Sequence, residues 1–429
     1  MDKEQQKQVR AYVIGSYLNS KEKEQAENYL EELKSLCHTY GFAVEGGQTC
    51  SLKKIDAATF LGKGKLEEIA QNCSLQSIEV VIFDDEITPN QQRNLEALLK
   101  IRVMDRTELI IEVFAQRAHT REARLQVELA KTQYQLPRLR RMWTHLSRES
   151  SGSGAGGGGY LRGTGEQQIE IDRRLARKRI DQLRKEIEAI RDQRQVQRQQ
   201  RLRKQIPTFA IIGYTNAGKS SLLNKLTQAN VLAEDKLFAT LDTTTRKYLL
   251  PNKQEVLLVD TVGFIRKIPH TLVAAFKSTL EEAVHTDILI HVVDVSHPQA
   301  FEQAEATEAV LKELKADHYP RITLLNKMDQ CEDKSVIYRF QGKYPRSIPF
   351  SITESLGFDT LLERMEEGVK SLRQHLLLHI PQSQYGLVAE LIQAGRLISI
   401  DYDKENILLD IELPGILLYK AKNYIIKSL

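Results

Sequence analysis

FAIIGYTNAGKSSLLNKL, Phe209 to Leu226, decides how the middle of this chain folds. Phe209 to Ile212 is a short apolar run, the pattern of a buried parallel strand, and Ser220 to Leu226 reads as the start of a helix. Between them GYTNAGKS, Gly213 to Ser220, fits G-x-x-x-x-G-K-S/T. Such a loop points backbone N–H groups at phosphate oxygens, at a helix N-terminus where anions are favoured. Gly213, Asn216, Ala217, Gly218, Lys219, Ser220 and Ser221 are the expected phosphate-binding positions. Lys219 is expected to reach the β- and γ-phosphates, and Ser220 to hold Mg²⁺.

Three further motifs follow in order. The apolar run Val256 to Val259 ends in DTVG, Asp260 to Gly263. An acid there can hold Mg²⁺ through a water, and the Gly263 N–H can meet the γ-phosphate. Ile322 to Leu325 reads as a strand leading into NKMD, Asn326 to Asp329. The Asp329 carboxylate offers two acceptors to the two donors on one edge of guanine. Adenine has no such edge, so a wrong base leaves buried polar groups unpaired. Asn326 can tie base and loop together, and Lys327 can lie over the ring. Ser351 and Ile352, in FSIT, are expected to contact the base through backbone N–H groups. The chain therefore reads as binding and hydrolysing GTP, with GDP as product.

FATLDTTTR, Phe238 to Arg246, lies where a switch segment belongs, and Thr240 is the first choice for the threonine that closes on Mg²⁺. Lys219, Thr240 and Gly263 are the expected catalytic positions. Phe264 stands where Ras-like enzymes carry a water-orienting glutamine, so hydrolysis by the chain alone is expected to be slow. Asn216 is a candidate for recruiting K⁺ as a local positive charge.

The 429 residues are too many for one ordinary domain. No apolar run approaches the roughly 20 residues of a membrane span, and the N-terminus is charged, without a signal-peptide core. Cys37, Cys50, Cys73 and Cys331 form no C-x-x-C pair, which suits reduced thiols in a cytoplasmic protein. The fold class expected is α/β. Residues 1–106 form a parallel α/β domain, with strands at Ala11 to Ile14, Val80 to Phe83 and Ile101 to Met104 and a helix at Glu22 to Tyr40. Residues 107–206 form a long antiparallel helical hairpin, residues 207–374 a Ras-like P-loop GTPase domain, and residues 375–429 a small α+β domain. Asp84, Asp85 and Glu86, at a strand end, read as a solvated turn rather than a metal site.

Charge is unevenly placed. From Arg117 to Ile206 there are 22 Lys and Arg against 10 Asp and Glu, a net +12 in a chain whose total is +4. The first arm of the hairpin runs from Thr107 to about Ser147, with a break at Pro137. The second runs from about Glu166 to Gln205, with Leu175, Leu183, Ile187 and Ile190 on one face. The connection, Ser151 to Glu166, carries eight of the 23 glycines. Arg138, Arg140 and Arg141 on one arm, Tyr160 and Arg162 at the tip, and Arg173, Arg174 and Arg177 on the other arm suit phosphate grip and base stacking. RNA is favoured over DNA because a glycine-rich tip can enter an irregular cavity.

LGKGKLEEI (Leu61 to Ile69), VIFDDEITPNQQRNLE (Val81 to Glu96), VMDRTELIIEVFAQRAHTREARLQVELA (Val103 to Ala130), RGTGEQQIEIDRR (Arg162 to Arg174), FATLD and DTVGFI together resemble the HflX family, of the Obg–HflX branch of translational GTPases. The resemblance implies GTP-dependent binding to the large ribosomal subunit and its ribosomal RNA, splitting of stalled or idle ribosomes under stress, and stimulation of hydrolysis by the ribosome. Two departures are Pro-to-Thr changes, RGTGE for the family's RGPGE and TTTR for PTTR. A monomer without membrane insertion is expected. The alternative reading is a regulatory GTPase switch acting on a protein partner. An ATP-driven RNA remodeller is disfavoured by Asp329.

Overall fold

The computed structural model describes residues 8–139, 160–204, 206–227, 237–238, 244–267, 286–403, 405–414 and 417–428. Two compact units divide the chain: residues 1–190 with 234–242 and 267–278, and the remainder.

The first unit is built on four parallel strands, β1 (Arg10–Tyr17), β2 (Ala43–Ser51), β3 (Val80–Phe83) and β4 (Arg102–Asp105), in the order β2-β1-β3-β4. Helices α1 (Lys23–Tyr40), α2 (Lys63–Leu75) and α3 (Pro89–Leu99) connect them. In α1, Ala26, Leu30, Leu33 and Leu36 recur at helical spacing and are buried. Thr88 caps α3 in a reciprocal box with Gln91, and Pro89 fills the first turn, where its missing N–H costs nothing. Strand β2 and helix α2 were not legible as elements. AVEGGQTCS has two glycines and no alternating apolar pattern, so pairing with β1 makes it a strand.

The first arm of the hairpin breaks earlier than expected. Helix α4 (Arg106–Arg117) stops at the extended Ala118, and α5 (Arg121–Gln135) restarts under a Thr120 cap. Pro137 lies in a 3-10 turn, Leu136–Arg138. Helix α6 (Tyr160–Lys204) is 45 residues long, on the order of 65–70 Å. It includes Tyr160 to Glu166, so that part of the expected glycine-rich loop is helical backbone. Each added residue contributes one more helical hydrogen bond, which offsets about 1 kcal/mol per interior glycine. The two arms pack through Leu125 and Leu129 against Ile180 and Leu183, with Leu136, Ile187 and Ile190 beside them. Leu175 departs from expectation and is exposed.

The second unit holds a six-stranded sheet ordered β10-β9-β8-β5-β7-β6. Its strands are β5 (Thr208–Gly213), β6 (Thr244–Leu249), β7 (Glu255–Asp260), β8 (Ile288–Asp294), β9 (Arg321–Asn326) and β10 (Ile348–Pro349). All pairs are parallel except β6 with β7. The β5 and β8 runs are apolar on both faces because helices cover both sides, as parallel sheets require. Helices α7 (Lys219–Thr227), α8 (Ala300–Glu313), α9 (Ser335–Lys343) and α10 (Phe358–Ser371) supply that cover.

The C-terminal part is an antiparallel sheet of β11 (Arg373–Pro381), β12 (Arg396–Tyr402), β13 (Asn406–Pro414) and β14 (Ile425–Ser428), ordered β12-β13-β11-β14. One face packs on α11 (Tyr385–Ala394) through Val388 and Leu391. Leu418–Ala421 is a short helix. None of the described helices is long and apolar enough to cross a membrane.

Candidate functional site: the nucleotide loops

The C-terminal ends of β5, β7 and β9 bring the sequence motifs together. Gly213 has φ +148, and a Cβ there would lie 2.2 Å from the Val292 carbonyl oxygen. At Gly218, φ is +101 and a Cβ would meet Asn326 Nδ2 at 2.5 Å. The phosphate loop therefore needs glycine at both ends. Between them Asn216 is exposed with φ +62, and Ala217 is buried.

Lys219 opens α7 and is buried, with Nζ donating to the Tyr214 carbonyl oxygen at 2.6 Å. Burial pushes its pKa down to about 8, against the Asp260 charge, which acts to raise it. The Ser220 hydroxyl donates to Asp260 Oδ2 at 2.7 Å, across from the end of β7. A hydroxyl and a fully buried carboxylate oxygen within hydrogen-bond reach are hard-oxygen donors of the kind Mg²⁺ takes, so the residues present fit that ion. Bound there, Mg²⁺ would neutralise charge on the phosphate oxygens. Gly263 is close by: a Cβ on it would lie 2.9 Å from Lys219 Nζ. Ser221 follows in the first turn of α7. Thr240 lies outside the described residues.

On the base side, Asn326 is buried; its Nδ2 donates to the Ala217 carbonyl at 2.8 Å, and its Oδ1 accepts from the Ile352 N–H at 3.4 Å. It thus ties the phosphate loop to the base loops. Lys327 takes φ +60 and pairs with Asp294 Oδ2 at 2.7 Å. Asp329 is exposed in a short 3-10 turn, Met328–Gln330. The Ser351 N–H departs from expectation. It donates to the Leu356 carbonyl at 3.2 Å instead of standing open toward a base, and the Ser351 hydroxyl accepts from Glu354 N.

Two contacts were not legible beforehand. Asp294, at the end of β8, holds the Lys327 ammonium; an acid at a strand end gave a weak signal. Tyr214, inside the loop motif, accepts a hydrogen bond at its phenol from the Arg266 N–H at 2.8 Å. Phe264 is buried, and its backbone brackets Tyr214, with Thr215 N donating to Phe264 O at 2.7 Å and Phe264 N donating to Gly213 O at 3.1 Å.

The basic hairpin is only partly as expected. Arg138 is 7% exposed, and its guanidinium donates to Gln92 Oε1, the Tyr134 and Ile87 carbonyls and Asp105 Oδ2. It also lies over the Tyr134 ring, 3.6 Å from its centre. Its guanidinium is held within the first unit. Arg174 and Arg177 are exposed along α6 and Arg173 half-buried. Arg179, within the same run, pairs with Glu128 at 2.7 Å. Arg140 and Arg141, and the side chains of Tyr160 and Arg162, lie outside the described residues.

The acidic turn after β3 is also different from expectation. Asp84 is buried and accepts from Arg106 Nη1 at 2.9 Å and Lys267 Nζ at 3.4 Å. Asp85 takes Lys267 Nζ at 2.6 Å and the Ser16 hydroxyl at 2.5 Å, and Arg106 also grips Glu32. This is a charge-paired crevice rather than a solvated turn. No group of three or more His, Cys, Asp or Glu side chains able to hold a metal ion occurs among the described residues.

A strand, a glycine-bounded loop carrying Lys219, a carboxylate facing Ser220 and an Asn–Lys–x–Asp turn on one sheet edge define a P-loop GTPase. Residues 27–115 match the family model described as GTP-binding GTPase N-terminal, residues 117–201 that of its middle region, and residues 208–327 that of a 50S ribosome-binding GTPase. GTPase HflX of Chlamydia pneumoniae is 46% identical over 99% of this chain and 90% of its own length. GTPase HflX of Escherichia coli is 42% identical over 82% of each. A GTP-binding protein from the archaeon Sulfolobus solfataricus, solved with GDP, aligns at 25% identity with a TM-score of 0.43, covering 85% of this chain and 99% of its own. The chain belongs to the HflX family of GTPases.

Proposed function

We propose that this GTPase binds the large ribosomal subunit and uses that binding to dissociate stalled or idle ribosomes under stress, working in the cytoplasm as a monomer. The observation carrying the reading is the match of residues 208–327 to a 50S ribosome-binding GTPase model. It gains support from α6, which presents Arg174, Arg177 and Lys178 to solvent, charges suited to ribosomal RNA phosphates.

In this reading Gly213 to Ser221 wraps the phosphates, Lys219 leaves the Tyr214 carbonyl for the β- and γ-phosphates, and Gly263 donates its N–H to the γ-phosphate. Ser220 and Thr240, with Asp260 through a water, would hold Mg²⁺. Asn216, exposed on the loop, is the residue that would recruit K⁺. Asp329 selects guanine, with Asn326 and Lys327 framing the base. Phe264, buried under the phosphate loop, orients no water, so hydrolysis is slow until the subunit supplies the missing positioning. GTP binding raises affinity for the subunit and hydrolysis allows release.

Co-sedimentation with large subunits, in GDP or a non-hydrolysable GTP analogue, tests this. Association is expected with the analogue and not with GDP. Neutralising Arg173, Arg174 and Arg177 together should abolish association at physiological salt and flatten the salt slope by roughly two to three. A protein-directed switch would bind its partner undisturbed by those changes.

A further inference from the structure

We infer that Tyr214 is a positioning residue for GTP hydrolysis, holding in place the loop that meets the γ-phosphate. Nothing in phosphate binding asks for a tyrosine at the second position of GYTNAGKS, since the loop works through backbone N–H groups, Lys219 and Ser220. Yet Tyr214 is only 5% exposed, and a buried phenol must find a partner. The phenol oxygen accepts from the Arg266 backbone N–H, at 2.8 Å, three residues beyond Gly263.

That bond completes a set of ties. Thr215 N donates to Phe264 O, Phe264 N donates to Gly213 O, and the phenol then fixes Arg266. The segment leaving Gly263 is thereby stitched to the phosphate loop from Phe264 through Arg266. Gly263 sits at the head of this stitched segment, against Lys219 and Thr215. Its N–H is thus presented to an incoming γ-phosphate at little further entropic expense, which is how preorganised donors act. Lys219 Nζ rests on the carbonyl of the same tyrosine, so one residue sets both the resting place of the lysine and the path of the loop.

GDP has no γ-phosphate, so the phenol should matter for triphosphate and hardly for diphosphate. The inference rests on Gly263 as the γ-phosphate contact, and two variants separate the two claims. In full-length Tyr214→Phe, which keeps the ring and loses the hydroxyl, the dissociation constant for a fluorescent non-hydrolysable GTP analogue should rise about five- to tenfold. The constant for fluorescent GDP should stay within about twofold, and kcat should fall with the analogue affinity. Gly263→Ala should change the same ratio of constants more strongly. A wild-type ratio in Tyr214→Phe, whatever the absolute values, overturns the inference if Gly263→Ala does shift it. If neither variant shifts it, the Gly263 reading falls as well. In the unaltered protein, hydrogen exchange at the Arg266 amide should be slow with the analogue bound; fast exchange there also overturns the inference.

Discussion

Each unit places carboxylates and a lysine at the C-terminal ends of parallel strands, yet the two places differ in what the charges touch. After β3, Asp84 and Asp85 are met by Arg106 and Lys267, opposite charges at hydrogen-bond distance. At the ends of β5 and β7, the Lys219 ammonium rests on a backbone carbonyl and Asp260 on a serine hydroxyl. Charge answered by charge is finished structure: removing one partner strands the other. Hydrogen bonds to neutral groups, as Lys219 and Asp260 make here beside one another's charge, can be exchanged for a phosphate or a cation that offers more. Composition alone does not draw that distinction: the glycine-bounded motif marks one end as a phosphate site, but nothing in the acidic turn Asp84 to Glu86 announces the pairing with Arg106 and Lys267.

The largest expected effect is at the finished end. Arg106 is about 1% exposed and holds Asp84 and Glu32. Arg106→Met should cost about 3–5 kcal/mol of stability by removing the buried guanidinium that Glu32 and Asp84 share, with Asp84 keeping Lys267 at 3.4 Å. Denaturant unfolding measures it, and guanine-nucleotide affinity of the folded variant should be unchanged. A loss under about 1 kcal/mol would show that the crevice is as loosely held as the nucleotide site.

A paired lysine exchange comes next. Lys219→Met should lower kcat for GTP by on the order of a hundred- to a thousandfold, as for loss of one preorganised donor at a developing charge. Lys267→Met removes an ammonium of the same length from a half-exposed pair and should change kcat by less than about fivefold. Equal losses in the two variants would erase the contrast between a ligand-facing and a structural lysine.

What was legible follows the same line. The loop Gly213 to Ser220, the DTVG turn and the NKMD turn could be read because backbone geometry and ligand chemistry dictate residue types at short, fixed spacing. The strands feeding them could be read because both faces are buried. Arg138 is buried, although its neighbours in sequence, Arg140 and Arg141, suggest a basic surface. Its partners Ile87, Gln92 and Asp105 lie 51, 46 and 33 positions away. Strand β2 was missed for the same reason, since its pairing with β1, not its own pattern, makes it a strand. Tyr214 and Asp294 escaped notice because each acts on a distant loop through one hydrogen bond or ion pair that no spacing rule encodes.

The smallest expected effect, a pH response, sets the two sheets against each other through one buried group each. On β8, burial drives the His291 pKa from 6.5 down to about 3, so the folded chain keeps it neutral while the unfolded chain takes up a proton. Below pH 6.5 its contribution drains away as acid increases, by up to about 1.4 kcal/mol per pH unit until the folded value is reached. At the end of β4, burial outweighs the bonds to Glu108, Arg138 and Tyr134 and lifts Asp105 from 3.8 to about 6. The folded chain there holds a proton that the unfolded chain releases, so between pH 6 and about 4 acidification favours the folded form. Hydrogen exchange corrected for its intrinsic pH dependence should therefore show, from pH 6 to pH 5, amides of β1, β3 and β4 gaining protection while those of β5, β8 and β9 lose it. His291→Phe, which removes the titrating ring nitrogens from the core, should abolish the loss in the second sheet and leave the first sheet's gain intact. If both sheets moved in the same direction, one of these two burials would not govern its group.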